Sequence, residues 1–176
     1  MLLAMPGLDD PAFFRAAVLM CQHDDSGAMG IVLNRRTDVL LGELLEQLGI
    51  SGASRELKGR QVLWGGPVHA DRGFVLHDDP RPWPSTLRFG PFGLTSSRDI
   101  LHAMARGEGP ARFIMVIGHA GWMSEQLEGE LVQNAWLTVP VSDGLVFDTD
   151  SDALWQAAAG QIGVDMARMA DYSGSA

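Results

Sequence analysis

The stretch from Phe113 to Leu137, FIMVIGHAGWMSEQLEGELVQNAWL, constrains this chain more than any other. Five apolar residues, Phe113 to Ile117, run directly into Gly118-His119-Ala120-Gly121-Trp122, after which a short helical pattern begins. The pattern predicts a buried strand, a glycine-bearing turn over Gly118 to Trp122, and a helix. Such a turn can hold an anion on helix N–H groups. Here no lysine follows the glycines, the spacing is not that of a P-loop or dinucleotide fingerprint, and Glu125, Glu128 and Glu130 crowd the helix start. The glutamates satisfy the positive helix end themselves and repel a phosphate. Trp122 is then expected to plug the gap between sheet and helix.

At 176 residues the chain is the size of one domain, residues 1–176, with a ragged tail from about 171. A hydrophobic share of 46% against 20% charged residues is enough to build a full core. No apolar run reaches the ~18 residues of a membrane span, and the N-terminus lacks a basic n-region. Cys21 is the single cysteine, so no internal disulfide forms, and a cytoplasmic location is expected. The net charge is −9, and the 13 bases (12 arginines and Lys58) are scattered, which argues against direct nucleic-acid binding.

Strands are expected over Leu2 to Met5, Ala16 to Gln22, Met29 to Asn34, Gln61 to Trp64, Arg72 to His77, Thr86 to Phe89, Phe92 to Thr95, Trp136 to Val139 and Leu145 to Asp148. The second and third form a hairpin about Asp24-Asp25-Ser26-Gly27. A helix capped by Thr37 carries Leu40, Leu41, Leu44, Leu45 and Leu48 on one face and stops at Gly49. Ser51 to Gly59 lacks periodicity and is expected as loop. A second helix follows a Ser96–Asp99 capping box and buries Ile100, Leu101, Met104 and Ala105. A third, capped by Asp150 or Ser151, carries Leu154, Trp155, Ala158, Ala159 and Ile162. Met166 to Ala170 adds a turn, and the Ser173 to Ala176 tail is expected to fray. Interleaved strands, hairpins and helices predict an α/β fold with a mixed sheet and helices on its faces.

Chemistry-bearing motifs are few. No serine stands in a G-x-S-x-G elbow, and Cys21 with His23 is outweighed by Cys21 as buried filler. Histidine sits beside acid at His23-Asp24-Asp25, His69-x-Asp71 and His77-Asp78-Asp79. Strand ends running into solvated acidic turns explain all three, and no paired metal-ligand spacing occurs. Gly65-Gly66-Pro67 demands an unusual backbone. Asp71 and Arg72 behind it offer either a buried ion pair or an exposed guanidinium for a carboxylate.

Five segments in order resemble the bacterial AlgH/YqgE family. They are Ala4-Met5-Pro6-Gly7-Leu8; Gly27-Ala28-Met29-Gly30 with Leu33-Asn34-Arg35 and Thr37; Gly65-Gly66-Pro67-Val68 with Asp71-Arg72-Gly73-Phe74-Val75-Leu76-His77; Leu94-Thr95-Ser96 with Asp99-Ile100-Leu101; and Ala120-Gly121-Trp122 with Gln126-Leu127-Glu128 and Trp136-Leu137. The resemblance implies a compact three-layer α/β domain in the bacterial cytoplasm. It brings no agreed catalytic, cofactor or metal residues, and the family name derives from a proposed role in regulating transcription of exopolysaccharide genes. Three positions depart from the family's common pattern: Arg36 replaces a proline, Glu125 a glycine, and His119 an aromatic such as tyrosine.

Three functional readings stay open. The first is a non-enzymatic regulatory or adaptor protein acting through a protein partner, with no cofactor. The second is a small-molecule binder or enzyme with a pocket between the Gly65–Arg72 and Gly118–Trp122 loops. The third is a self-pairing module, a homo-oligomer using one or two of the five tryptophans. The residues expected at a ligand or partner site are Gly65, Gly66, Pro67, Arg72, Gly118, Gly121, Trp122, Gln126 and Glu128.

Overall fold

A computed structural model describes residues 1–173. In chain order the elements are β1 (Leu2–Ala4), β2 (Ala17–Asp24), β3 (Gly27–Val32), β4 (Arg36–Leu40), α1 (Leu41–Gln47), α2 (Arg55–Lys58), β5 (Gln61–Trp64) and β6 (Val68–His77). They continue with β7 (Thr86–Phe89), β8 (Phe92–Thr95), α3 (Arg98–Ala105), β9 (Phe113–Met123), α4 (Gln126–Val132), β10 (Trp136–Thr138), α5 (Asp143–Phe147), α6 (Leu154–Gly160) and α7 (Met166–Ser173). The strands form one mixed sheet in the order β10-β1-β2-β3-β9-β6-β8-β7, with β4 and β5 branching from β9. Only β5 and β9 run parallel; the other described pairs are antiparallel.

Alternation along the strands sorts side chains into two faces. Ala17, Leu19 and Cys21 of β2 point into a core shared with Val146, Leu154, Trp155, Ala158 and Met166 from α5 to α7. Val18 of β2 points the other way, toward Leu127 of α4 and Trp136. On that same opposite face, Val62 and Val75 pack on Leu41, Leu45, Ile100 and Met104 from α1 and α3. Helices therefore cover both faces of the sheet, giving three layers.

The central strand β9 is where the structure departs most from expectation. No turn forms over Gly118 to Trp122; the strand continues to Met123. Its first half lies between β5 and β6, and its second half pairs with β3 from Ala120 through Met123. Gly118, at φ +75°, marks the change of partner. Ahead of it, Ile114 and Val116 face the α5–α7 core while Met115 and Ile117 face α1 and α3. Beyond it, His119 packs edge-on to Phe74 of the α5–α7 core, and Ala120 and Trp122 face α4. The alternation thus changes phase at Gly118, as a bulge does.

Gly65 closes the fork. Its N–H donates to Ile117 O at 2.7 Å and its carbonyl accepts from Val32 N–H at 2.8 Å, tying β9 to β3. Gly66, at φ +148°, lies against the backbone of His119 and Ala120, where a Cβ would overlap main-chain atoms. A Cβ on Gly118 would overlap the Gly66 carbonyl in the same way.

Other elements correct the sequence-based expectation. Thr37 lies in β4 and caps no helix: its hydroxyl donates to Val62 O at 2.8 Å, so α1 begins only at Leu41 and Leu40 is left exposed. A short helix, α2, occupies part of the Ser51 to Gly59 segment because the Ser54 hydroxyl accepts from Leu57 N–H at 3.1 Å. Leu145 to Asp148 is not a strand; α5 forms there, started by the Ser142 hydroxyl accepting from Leu145 N–H at 3.2 Å. The residue ahead of α3 is Ser97, whose hydroxyl is buried without a partner, so the Ser96–Asp99 box does not form. Helix α6 starts after Ala153, and Ile162 lies beyond its end and is exposed. Helix α7 continues to Ser173; of the tail expected to fray, residues 174–176 lie outside the described residues.

The fork predicts an asymmetric glycine scan. Gly66→Ala and Gly118→Ala each combine backbone strain with main-chain overlap and are expected to cost about 3 kcal/mol or more in denaturant unfolding. Gly129→Ala, within α4 and with open space around it, is expected to stabilise by about 0.5–1 kcal/mol.

Candidate functional site

The structure brings Gly65, Gly66 and Gly118 together, but as main chain on main chain. Both Gly65 and Gly66 are buried, Pro67 is exposed beside them, and Val68 pairs with His119. The pocket expected between the two loops is closed at its centre by their own backbones. Arg72 stands apart, exposed in the irregular stretch of β6 between Val68 and Gly73. Neither Asp71 nor Arg72 takes part in an ion pair among the described residues, so the buried pair does not form.

Trp122 and Gln126 belong to a second cluster that the fork makes possible. Because β9 changes phase, Trp122 turns toward α4 and meets Trp136 edge-on at 5.8 Å. Phe13 stacks on Trp122 at 6.4 Å, meets Trp136 at 5.7 Å and reaches Trp64 at 6.5 Å. Buried indole N–H groups need acceptors. Both find the same one: Glu130 Oε2 accepts from Trp122 Nε1 at 2.9 Å and from Trp136 Nε1 at 2.7 Å. Glu130 Oε1 accepts from Gln126 Nε2 at 3.0 Å, and Gln126 Oε1 accepts from Met123 N–H at 3.0 Å. Gln126 therefore closes the turn into α4 and has both ends of its amide engaged. Glu125 in that turn adopts φ +63°, a left-handed conformation that favours glycine, which accounts for the residue common at this place in the resembled family.

The outward side of the cluster is acidic. Exposed His23 of β2 and Glu128 of α4 meet in a short contact, and with Asp24, Asp25, Ser124 and Glu125 they rim an open cavity of ≈ 500 Å³. The Glu128 carboxyl is held below the usual range by its own backbone N–H and by His23. Asp24 is held at about 2 by the Ser26 hydroxyl, the Gln22 amide and the Ser26 N–H. Gly121 is exposed, and a Cβ there would meet Val68 and His119 at ordinary contact distance. No group of three His, Cys, Asp or Glu side chains among the described residues is arranged to share a metal ion.

Two of the other motifs resolve differently. Cys21 is buried facing the α5–α7 core, its thiol pushed up to about 12 by burial, and the β2–β3 register shifts at it, between Met20 and Gln22, whereas His23 is exposed. His77 is not solvated: it is fully buried and its ring sits against Gly93. Nδ1 accepts from Asp79 N–H at 3.2 Å, which leaves the proton on Nε2, donating to Thr95 Oγ1 at 2.8 Å. Thr95 passes its hydrogen to Thr86 Oγ1 at 2.6 Å, and Thr86 donates to Trp83 O at 2.8 Å. Burial, followed by the Arg88 guanidinium, lowers the His77 pKa below its ordinary 6.5. Asp79, also buried, is held at about 2, chiefly by hydrogen bonds from Arg81. Glu130 and the His77 chain were absent from the expected site because their partners come from other strands and turns, at spacings without a local signature.

A mixed sheet with helices on both faces, forked by glycine at its central strand, defines the class: a three-layer α/β domain. The family model described as AlgH-like matches residues 1–167. A UPF0301 protein of Xanthomonas campestris pv. campestris (strain B100) is 51% identical over 177 aligned positions, covering 100% of this chain and 94% of that protein. One from Stenotrophomonas maltophilia (strain K279a) is 52% identical over 175 positions, covering 99% and 93%. The solution structure of the AlgH protein from Pseudomonas aeruginosa superimposes with a TM-score of 0.83 at 39% identity, covering 96% of this chain and 89% of that one. A crystal structure from Corynebacterium diphtheriae shares the fold, with a TM-score of 0.74 at 17% identity over 96% and 88% of the two chains. The chain belongs to the AlgH-like family.

Two outcomes follow from the geometry. Glu130→Ala leaves two indole N–H groups without an acceptor and is expected to cost about 2–4 kcal/mol, with a change in tryptophan emission; Glu130→Gln, which keeps an acceptor oxygen, is expected to cost less. For His77, the unfolded chain takes up the proton more readily than the fold, so its contribution to stability is complete above pH 6.5 and falls as pH drops below it. Denaturation midpoints between about pH 8 and pH 5 are expected to decline in the wild type and to flatten in His77→Gln.

Proposed function

We propose that this protein is a non-enzymatic regulatory adaptor of the bacterial cytoplasm that acts through a protein partner docking on the outer side of α4. One observation carries the proposal. The two most exposed large apolar side chains of the described residues, Val132 (83%) and Met123 (76%), stand at the end of α4 and just ahead of it. An adaptable thioether in the open suits a partner surface better than a reaction centre. The acids of the adjoining rim, Asp24, Asp25, Glu125 and Glu128, favour a partner segment that is apolar and basic.

Four residues with side chains suited to catalysis are engaged in the architecture or buried. Glu130 and Gln126 hold the tryptophans and the turn, His77 is buried with both ring nitrogens bonded, and the Cys21 thiol is buried. A pocket between the Gly65–Arg72 and Gly118–Trp122 segments has less support, since Gly66 and Gly118 meet main chain to main chain. The net charge of −9 favours regulation without direct contact to nucleic acid.

The test is quantitative capture from the cytosol of the source cell with wild-type protein and with a Met123→Asp/Val132→Asp variant, followed by titration of the captured protein in purified form. A partner held by the wild type, weakened about tenfold or more by the variant and weakened by salt, is the expected outcome. Equal binding by both proteins, or turnover of a substrate by the wild type alone, would sink the proposal.

A further inference from the structure

We propose that the chain binds a small aromatic monocarboxylate in the cavity between the sheet and helices α5 and α6, at the N-terminal ends of the parallel strands β5 and β9. The cavity measures ≈ 170 Å³. An apolar cavity of about 150 Å³ accepts a benzene ring, so there is room for one ring. Leu63, Ile114 and Leu154 supply apolar surface, and Phe113 and Phe147 add aromatic surface. A planar ring gains offset or edge contacts there that a sugar or a bare phosphate cannot make.

The polar side of the cavity fixes the head group. Although acids outnumber bases by 22 to 13 in the chain, no acidic residue lines this cavity. Arg60 does line it, with its guanidinium 4.7 Å from the Phe113 ring centroid and Nη2 donating to Phe113 O at 3.2 Å. No carboxylate among the described residues lies within ion-pair distance of Arg60, leaving its remaining N–H groups available. Ser151 also lines the cavity; its oxygen accepts from Arg36 Nε at 3.1 Å, which frees its own hydrogen to donate. A fork of N–H donors and a hydroxyl donor in one cavity lining call for a planar anionic acceptor, and a carboxylate matches the guanidinium in two-point geometry. The site is distinct from the α4 surface, since Leu33, Leu63, Ile114, Val146 and Leu154 of its lining belong to the α5–α7 side of the sheet, whereas α4 covers the other side.

The experiment is a titration of the full chain with benzoate, followed by methyl and amide NMR. Benzyl alcohol serves as the uncharged counterpart, and inorganic phosphate as an anion without a ring. Saturable benzoate shifts at Ile114, Val146 and Leu154 are expected, with a Kd at or below about a millimolar for a ligand this small. Benzyl alcohol is expected to bind about tenfold more weakly or worse, and phosphate to leave these methyls unmoved. Arg60→Gln, at an exposed position, is expected to keep the wild-type spectrum and to weaken benzoate about tenfold or more. Absence of saturation, shifts centred elsewhere, or equal affinity for benzoate and benzyl alcohol in the wild type would overturn the proposal without recourse to any variant. Unchanged benzoate binding in Arg60→Gln would overturn the assignment of the carboxylate to Arg60.

Discussion

The main-chain crossing of Gly66 over Gly118 and His119 is the constraint on which the remaining structure depends. A sheet built from regular strands would keep one side-chain phase along β9 and could pack only one continuous core on each face. Here the first half of β9 is flanked by β5 and the second by β3 on the same edge, and one hand-over must occur between them. Gly65 makes it by bonding Ile117 on one side and Val32 on the other. The positive φ at Gly118 then re-aims every following side chain. Without that phase change Trp122 would point into the α5–α7 core, and the indole pair with Trp136 would not exist. Side chains could not achieve the same approach, because any Cβ at Gly66 or Gly118 occupies space already filled by main chain.

What the fork positions is a corner whose polar groups satisfy one another. One carboxylate, Glu130, receives two indole N–H bonds and one amide bond, so the N–H groups of Trp122 and Trp136 both find an acceptor. A polar network laid against buried aromatic rings fixes geometry only when each member is satisfied. His77 follows the same logic on β6, its proton directed through Thr95 and Thr86 to a carbonyl. Glu130, Gln126, His77, Thr95 and Thr86 are thereby committed to architecture. The surface is not uniform: an acid-rich rim borders α4, whereas the cavity beside Arg60 has no acid in its lining. In a chain of net charge −9, that contrast gives the two regions different binding preferences.

Much of this was legible wherever the signal was local. The β2–β3 hairpin could be read because alternation on both sides met an acidic, glycine-bearing turn, and α3 because its apolar residues recur at helical spacing. The signal failed where tertiary pairing overrode it. Arg36 to Leu40 joined β5 as a strand, so the leucine stripe began its helix at Leu41 instead of directly after a Thr37 cap. Leu145-Val146-Phe147 is too short to distinguish strand from helix by periodicity, and the Ser142 cap decided it. In β9 the apolar run stops at Gly118 although the strand does not, because the change of phase breaks the alternation that identifies a strand. The same glycines that mimicked a ligand-binding turn are what keep the chain extended through it. Trp122 and Gln126 could be picked out as residues of that corner, but Glu130 could not. Its role arises only once β9, α4 and β10 bring its two tryptophans to one oxygen, and no linear spacing encodes that convergence.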